Sequence, residues 1–599
     1  MTVIKQVGTV DSIGADAIAS ESPKQALIEV AGLSVSFLPP GGERRTVVED
    51  VGFRIERGSV LALVGESGSG KSVTGRSLVG LAGAGSLVSA RTLRVAGHDV
   101  LGLDEKAWRR IRGSEIGFVL QDALTSLDNL RRVGAEVAEP LRLHTRLGRR
   151  TRDARVLDLL AEAGVPDPAS RVRQYPYELS GGLRQRALIA SAIANRPSVL
   201  IADEPTTALD ATVAAQILRL LGGLVGDDGA LLMISHDLAA VAAIADRIAV
   251  MNAGRIVEEG AADQILGDPQ HPYTKRLLAA VPRPSARGRR LSADPRRAFT
   301  RSRAAGTANR AVPTPVIEVE GIAKRFRGEQ GSHRTVLHNV SFAVHQGETL
   351  GIVGESGSGK TTAARIALGV ERADAGRALV LGVEWHTMNR AQRSDIRRRV
   401  QLVSQDPQSS FDPRYTVGRV LAEPLRVAGM RGRASRTRAE DLLDLVRLPA
   451  ATLDRRPLEL SGGQRQRVAI ARALAVEPDM IVADEPVSAL DVSVQAQILD
   501  LFADVQSEFG VACLFISHDL AVIHHVADRV VVLAGGRVVE QGEVETVFAR
   551  PAKPYTRELL DAIPRLDDTQ RRRTPTLARY TDPEPHERNR PHAEQHSAE

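Results

Sequence analysis

The chain is poor in the residues that make covalent or metal staples. Its 599 residues include one cysteine, Cys513. That excludes an intramolecular disulfide, a four-cysteine zinc site and a cysteine-ligated iron–sulfur cluster, and it agrees with a reducing compartment. Only 3% of the residues are aromatic, too few for the stacking platforms that read single-stranded RNA. No stretch approaches the roughly 18 consecutive apolar residues of a membrane-crossing helix. The opening "MTVIKQVGTVDSIGADAIASESPKQ" lacks the apolar centre of a secretory leader and reads as a loose tail. The rest is ordinary for globular protein, with 43% hydrophobic residues, 25% charged and a net charge of +6. At this length one core does not suffice, and at least two domains are expected.

What is present is a duplication. "VGESGSGKS" at Val64–Ser72 returns as "VGESGSGKT" at Val353–Thr361, and "SVLIADEPTTALD" returns as "DMIVADEPVSALD". The repeat unit is a whole domain, too long for a solenoid repeat. Both copies alternate short apolar strands with helices, as a parallel sheet requires. Within each copy a charged helical stretch, roughly 125–178 and 409–459, reads as a helical subdomain. Between the copies, nine arginines and a single acid, Asp294, fall between Arg283 and Arg310 among Pro, Ser and Ala. Without apolar periodicity this reads as a solvated tether. The boundaries read as a tail over 1–25, a first domain over 26–282, a linker over 283–314, a second domain over 315–565 and a disordered tail over 566–599. Histidines 586, 592 and 596 read as part of that solvated tail and not as a metal site.

Both "GESGSGK[ST]" segments fit the pattern of a phosphate-binding loop between a strand and a helix. Their glycines let successive backbone amides turn inward around an anion, and the helix start adds favourable potential. The residues are Gly65, Glu66, Ser67, Gly68, Ser69, Gly70, Lys71 and Ser72. The second set is Gly354, Glu355, Ser356, Gly357, Ser358, Gly359, Lys360, Thr361 and Thr362. Lys71 and Lys360 are placed to reach β- and γ-phosphate oxygens, and the Ser72 and Thr361 hydroxyls to ligate Mg2+.

Consecutive carboxylates end two buried strands. Asp203 and Asp484 are expected to hold Mg2+, and Glu204 and Glu485 to polarise the water that attacks the γ-phosphate. One strand later come His236 and His518, read as γ-phosphate contacts. Gln121 and Gln405 end further strands, where an amide can meet the metal or the water. Phe37 and Phe326 lie 28 residues before their phosphate loops; they read as adenine-stacking rings or as core.

In this order, twice over, these motifs resemble the ATP-binding-cassette ATPases. The resemblance implies an α/β fold of two tandem P-loop NTPase domains. Each would have a RecA-like α/β core, an antiparallel β subdomain and a helical subdomain. It further implies head-to-tail pairing, with ATP between the phosphate loop of one half and the "LSGG" segment of the other. Ser461, Gly462, Gly463 and Gln464 would then complete the Lys71 site, and Ser180, Gly181 and Gly182 the Lys360 site. Asp210 and Asp491 look like the loops that communicate across that interface. Leu183 stands in the first copy where Gln464 stands in the second, and Ala123 where Pro407 stands. Neither change removes a phosphate ligand, so two hydrolytic sites are expected.

The endings "PYTKRLLAAVP" and "PYTRELLDAIP" resemble the subfamily that energises uptake of dipeptides, oligopeptides, nickel or glutathione. That resemblance implies two membrane permease subunits, an extracytoplasmic solute-binding protein and a place on the cytoplasmic face of the membrane, with no nucleic-acid partner. The rival reading is a soluble twin-cassette ATPase of translation or DNA repair. Its charged helical linker or zinc-binding cysteines have no counterpart here.

Overall fold

A computed structural model describes residues 26–38, 42–121, 123–207, 209–226, 228–292, 315–327, 333–407, 410–488 and 490–563. The two tails, the linker beyond 292 and the tail histidines lie outside the described residues.

Each half is built around a six-stranded sheet. In the first, the order is Arg255–Ala261, Arg247–Asn252, Ser59–Val64, Ala230–Ser235, Val199–Asp203, Ile116–Val119. All neighbours are parallel except the first pair. Strands such as "VLIAD" are buried at every position, as expected when both faces of a parallel sheet are covered. Side chains alternate between the faces. Leu61, Leu63, Ile201 and Leu232 join the core beneath an antiparallel sheet formed by Arg45–Glu56, Ala26–Phe37 and shorter strands. Ala62, Val64, Ala202 and Met233 face the helices. The second half repeats this layout, with Val400–Val403, Met480–Asp484, Ala512–Ile516, Thr349–Val353, Arg529–Ala534 and Arg537–Glu543 in sheet order.

The helical subdomains appear where expected, with Val133–His144 and Arg149–Glu162 in the first half, Val417–Val427 and Gly432–Leu445 in the second. The expected α/β architecture, three subdomains twice, is therefore what the chain adopts. No helix among the described residues is long and apolar enough to cross a membrane.

The start of the linker differs from a solvated tether. Residues 283–292 lie on the second half. Leu291 is 3% exposed within that half's core. Asp500, itself buried, accepts the amides of Leu291 at 3.0 Å and Ser292 at 2.9 Å. Arg290 pairs with Asp504 at 2.7 Å, and Arg287 with Glu545 at 2.8 Å. Composition alone hides this because the receptor carboxylates lie some 200 residues away in sequence.

Candidate active site

Each phosphate loop leaves the end of a central strand and turns into a helix, Lys71–Ser77 or Lys360–Ala367. Glycine is required at its first position: Gly65 has φ +153°, and a Cβ there would sit 2.1 Å from the Met251 carbonyl oxygen. Gly354 repeats this against Leu533. Lys71 Nζ donates to the carbonyls of Gly65 and Glu66, both at 2.8 Å. Lys360 does the same to Gly354 at 2.7 Å and Glu355 at 2.9 Å. Burial pulls the Lys71 amine below its ordinary value, against the opposing charges of Glu204, Asp203 and, from the other half, Asp491.

The strand-end aspartates lie against the loop hydroxyls. Ser72 donates to Asp203 at 2.9 Å, and Thr361 to Asp484 at 3.1 Å. Asp203 is fully buried; its Oδ2 has no hydrogen-bond partner among the described residues and lies 3.7 Å from the Arg76 guanidinium. Burial raises the carboxyls of Asp203 and Asp484, only partly offset by those hydroxyls. A buried carboxylate oxygen with unused acceptor capacity, beside a hydroxyl, is a hard-oxygen donor set suited to Mg2+. Among the described residues no group of three or more His, Cys, Asp or Glu side chains is spaced to hold a metal by itself.

The adjacent glutamates are pinned in place. Both occupy left-handed backbone, φ +49° at Glu204 and +48° at Glu485, a conformation that costs a non-glycine residue free energy and collects at functional sites. Glu204 meets His236 Nδ1 at 3.2 Å and accepts the Gln121 amide at 2.9 Å and the Thr207 hydroxyl at 3.0 Å. Glu485 meets His518 at 3.3 Å and the Gln405 amide at 2.8 Å. Burial works to raise both glutamates, but the histidine contacts outweigh it and hold them below the ordinary range. Burial likewise works to lower both histidines, and the glutamate bonds leave them raised. The histidines and glutamines, expected to face phosphate or metal, are thus gathered on the glutamates.

The halves meet at their nucleotide loops. Asp210 accepts the Ser356 amide, Thr212 donates to Glu355 at 2.9 Å, and Ser493 donates to Glu66. A cavity of ≈ 640 Å³ surrounds Lys360 and Thr361 and reaches Gln405, Glu485 and His518, with Leu209 from the first half. It is also lined by Gly462, Arg465 and Gln466 of the same half, whereas the resemblance pairs Lys360 with Ser180, Gly181 and Gly182. Ser180 and Ser461 cap their own helices, accepting the amides of Leu183 at 3.4 Å and Gln464 at 3.3 Å. Gln464 completes a reciprocal cap on Ser461, which Leu183 has no polar group to make. Each signature helix packs in its own half's core, so its reach toward the opposite loop depends on how the halves dock.

The expected adenine rings are placed differently from one another. Phe37 packs partly against the antiparallel-sheet core, while Phe326 is 40% exposed with the Lys324 ammonium 5.2 Å from its ring centre. Sequence reasoning missed Thr207, Thr212 and Ser493. A signal existed: Thr212 and Ser493 are hydroxyls two residues past the aspartate of each "ALD" segment.

The chain is similar to known proteins over most of its length. Residues 48–207 and 337–488 match the ABC transporter family, and 257–306 and 539–590 match the oligopeptide/dipeptide transporter C-terminal region. The glutathione import ATP-binding protein GsiA of Salmonella choleraesuis is 42% identical over 92% of both chains. The oligopeptide transport ATP-binding protein OppD of Mycobacterium tuberculosis is 40% identical over 91% of this chain and 99% of its own. Among solved structures, a dimeric ATP-binding cassette bound to ADP and Pi is 29% identical over 38% of this chain and 98% of its own, with a TM-score of 0.36.

Proposed function

The chain belongs to the ABC transporter family as an ATP-hydrolysing importer subunit, and we propose that it energises uptake of short peptides or related small solutes. The relatives named for glutathione and oligopeptides, together with the duplicated C-terminal region, support this solute class. Its partners in this reading are two membrane permease subunits and an extracytoplasmic solute-binding protein. It works on the cytoplasmic face of the membrane.

The observation that carries the mechanism is the gathering of Gln121, Thr207 and His236 on Glu204, repeated by Gln405 and His518 on Glu485. Such a carboxylate is held to accept a proton from water as that water attacks the γ-phosphorus. The bond to the β-phosphate oxygen breaks, and ADP and inorganic phosphate leave. Lys71 and Lys360, with the loop amides, neutralise charge on the phosphates; this positioning is the protein's main task. Asp203 with Ser72, and Asp484 with Thr361, would hold Mg2+. When bound, the ion would supply charge neutralisation to the phosphates. Phe37 and Phe326 are assigned to the adenine face, and the two "LSGG" segments to the γ-phosphate of the opposite half on closure. Nucleotide-driven closure then moves the permease loops gripped by the helical subdomains.

The test is co-purification and uptake. Permease subunits should co-purify with the full chain, and Glu204→Gln with Glu485→Gln should abolish peptide uptake by cells. Co-sedimentation with ribosomes or DNA in place of permeases would instead favour a translation or repair ATPase.

A further inference from the structure

Nothing in the hydrolytic scheme uses the two Pro-Tyr-Thr segments, yet the first reaches the phosphate loop. Tyr273 is the second residue of the helix Pro272–Ala279 and is 5% exposed. The entry to that helix is fastened by Glu258, which accepts the amides of Gln270 at 2.6 Å and His271 at 3.1 Å. Leu277 and Leu278 anchor the same helix in the core. So held, the Tyr273 phenol accepts the backbone amide of Glu66 at 3.1 Å. Burial pushes that phenol up to about 12, so it stays uncharged.

Glu66 is thereby fixed on three sides. Its amide goes to Tyr273, its carbonyl accepts Lys71 Nζ, and its carboxylate accepts the Ser493 hydroxyl of the other half. A phosphate loop works through amides turned toward the anion. The Glu66 amide shares its peptide plane with the Gly65 carbonyl, so committing it to the phenol turns that carbonyl the opposite way, toward the Lys71 ammonium at 2.8 Å, and sets the path of the peptides that follow. In the second half Tyr555 lies beside the Glu355 amide in the same way.

We propose that Tyr273 is a positioning residue for nucleotide: by holding the Glu66 peptide, it makes the C-terminal helix of the first half a determinant of ATP affinity at the Lys71 site. This rests on the ATPase activity alone and not on the transported solute. The test uses the full chain carrying Lys360→Ala, so that binding of a fluorescent methylanthraniloyl ATP with Mg2+ reports the Lys71 site. Tyr273→Phe deletes the acceptor and keeps the ring. Leu277→Ala loosens the same helix and keeps the phenol. Tyr273→Phe is expected to weaken binding roughly tenfold, the scale of leaving one part-buried amide unpaired. Leu277→Ala is expected to lower the thermal midpoint and, acting only through the helix, to weaken binding less than Tyr273→Phe does. Unchanged affinity in Tyr273→Phe, or an equal loss in both variants, overturns the proposal. Should Tyr273→Phe not fold, Glu258→Gln unfastens the helix entry without touching the loop. It should then weaken binding too, and an unaltered affinity again overturns the proposal.

Discussion

Asp210, in the first half, accepts the backbone amide of Ser356, in the second half's phosphate loop, at 2.7 Å. Asp210 follows Glu204 by only six positions, yet it is bonded to the phosphate loop of the other half. Asp210→Ala is expected to weaken nucleotide binding at the Lys360 site, read in a Lys71→Ala chain. Because Ser356 is exposed, water partly replaces the lost acceptor, and the loss should be roughly threefold. Binding at the Lys71 site, read in a Lys360→Ala chain, should hold steady. A loss confined to the Lys71 site would contradict the cross-half contact.

The two glutamates are not held alike. Thr207 donates its hydroxyl to the Glu204 carboxylate, whereas its counterpart Ser488 donates to the Glu485 backbone carbonyl at 2.9 Å. Thr207→Ala should therefore reduce turnover several-fold, on the order of one hydrogen bond to a charged group, and Ser488→Ala much less. Steady-state hydrolysis by each single variant measures this. Equal effects would mean that the hydroxyl on Glu204 has no catalytic consequence.

The histidine–glutamate pairs set a pH window. His236 and His518 have folded values raised above 6.5. Their share of stability is fully present below that value and disappears as pH rises through the raised one. Glu204 and Glu485 lie below 4.5, so their share is present above that value and disappears as pH falls through the depressed one. Replacing both histidines with glutamine should lower the thermal midpoint most near about pH 6, with the deficit shrinking by about pH 9. A deficit that is constant between these values would show that the charge of the pair is not what stabilises it.

Asp500 is buried and serves two amides of the linker start. Asp500→Ala leaves both without that acceptor, and about 1–3 kcal/mol of stability should be lost. Chemical denaturation should show this loss in the transition that exposes the second half. Asp504→Ala removes a partly exposed ion pair with Arg290 and should cost under about 1 kcal/mol.

Much of this architecture is legible in the sequence because it is local. "VGESGSGK" encodes a turn that only glycine can make, and "LIADE" and "IVADE" read as buried strands ending in acids. What was hidden depends on distant parts docking. No local rule tells Tyr273 from any other helix-start tyrosine, or Leu291 from a stray apolar residue in an arginine-rich run. The left-handed backbone at Glu204 was equally silent, since strain there is imposed by the strands around it. The contacts of His236 and His518 with the glutamates were silent too, because a spacing in sequence reports no partner.

The fastening of residues 283–292 onto Asp500 gives the tandem a direction. Nine residues past Asp491 comes Asp500, while nine past Asp210 comes Arg219, a cation that would repel the same basic segment. The segment that ends the leading half therefore grips the half that follows it, and a copy of that segment placed after the second half would meet no matching acid on the first. A protease cut within 293–314 would leave the latch on one fragment and its catch on the other, so separately produced pieces should keep the means to find each other.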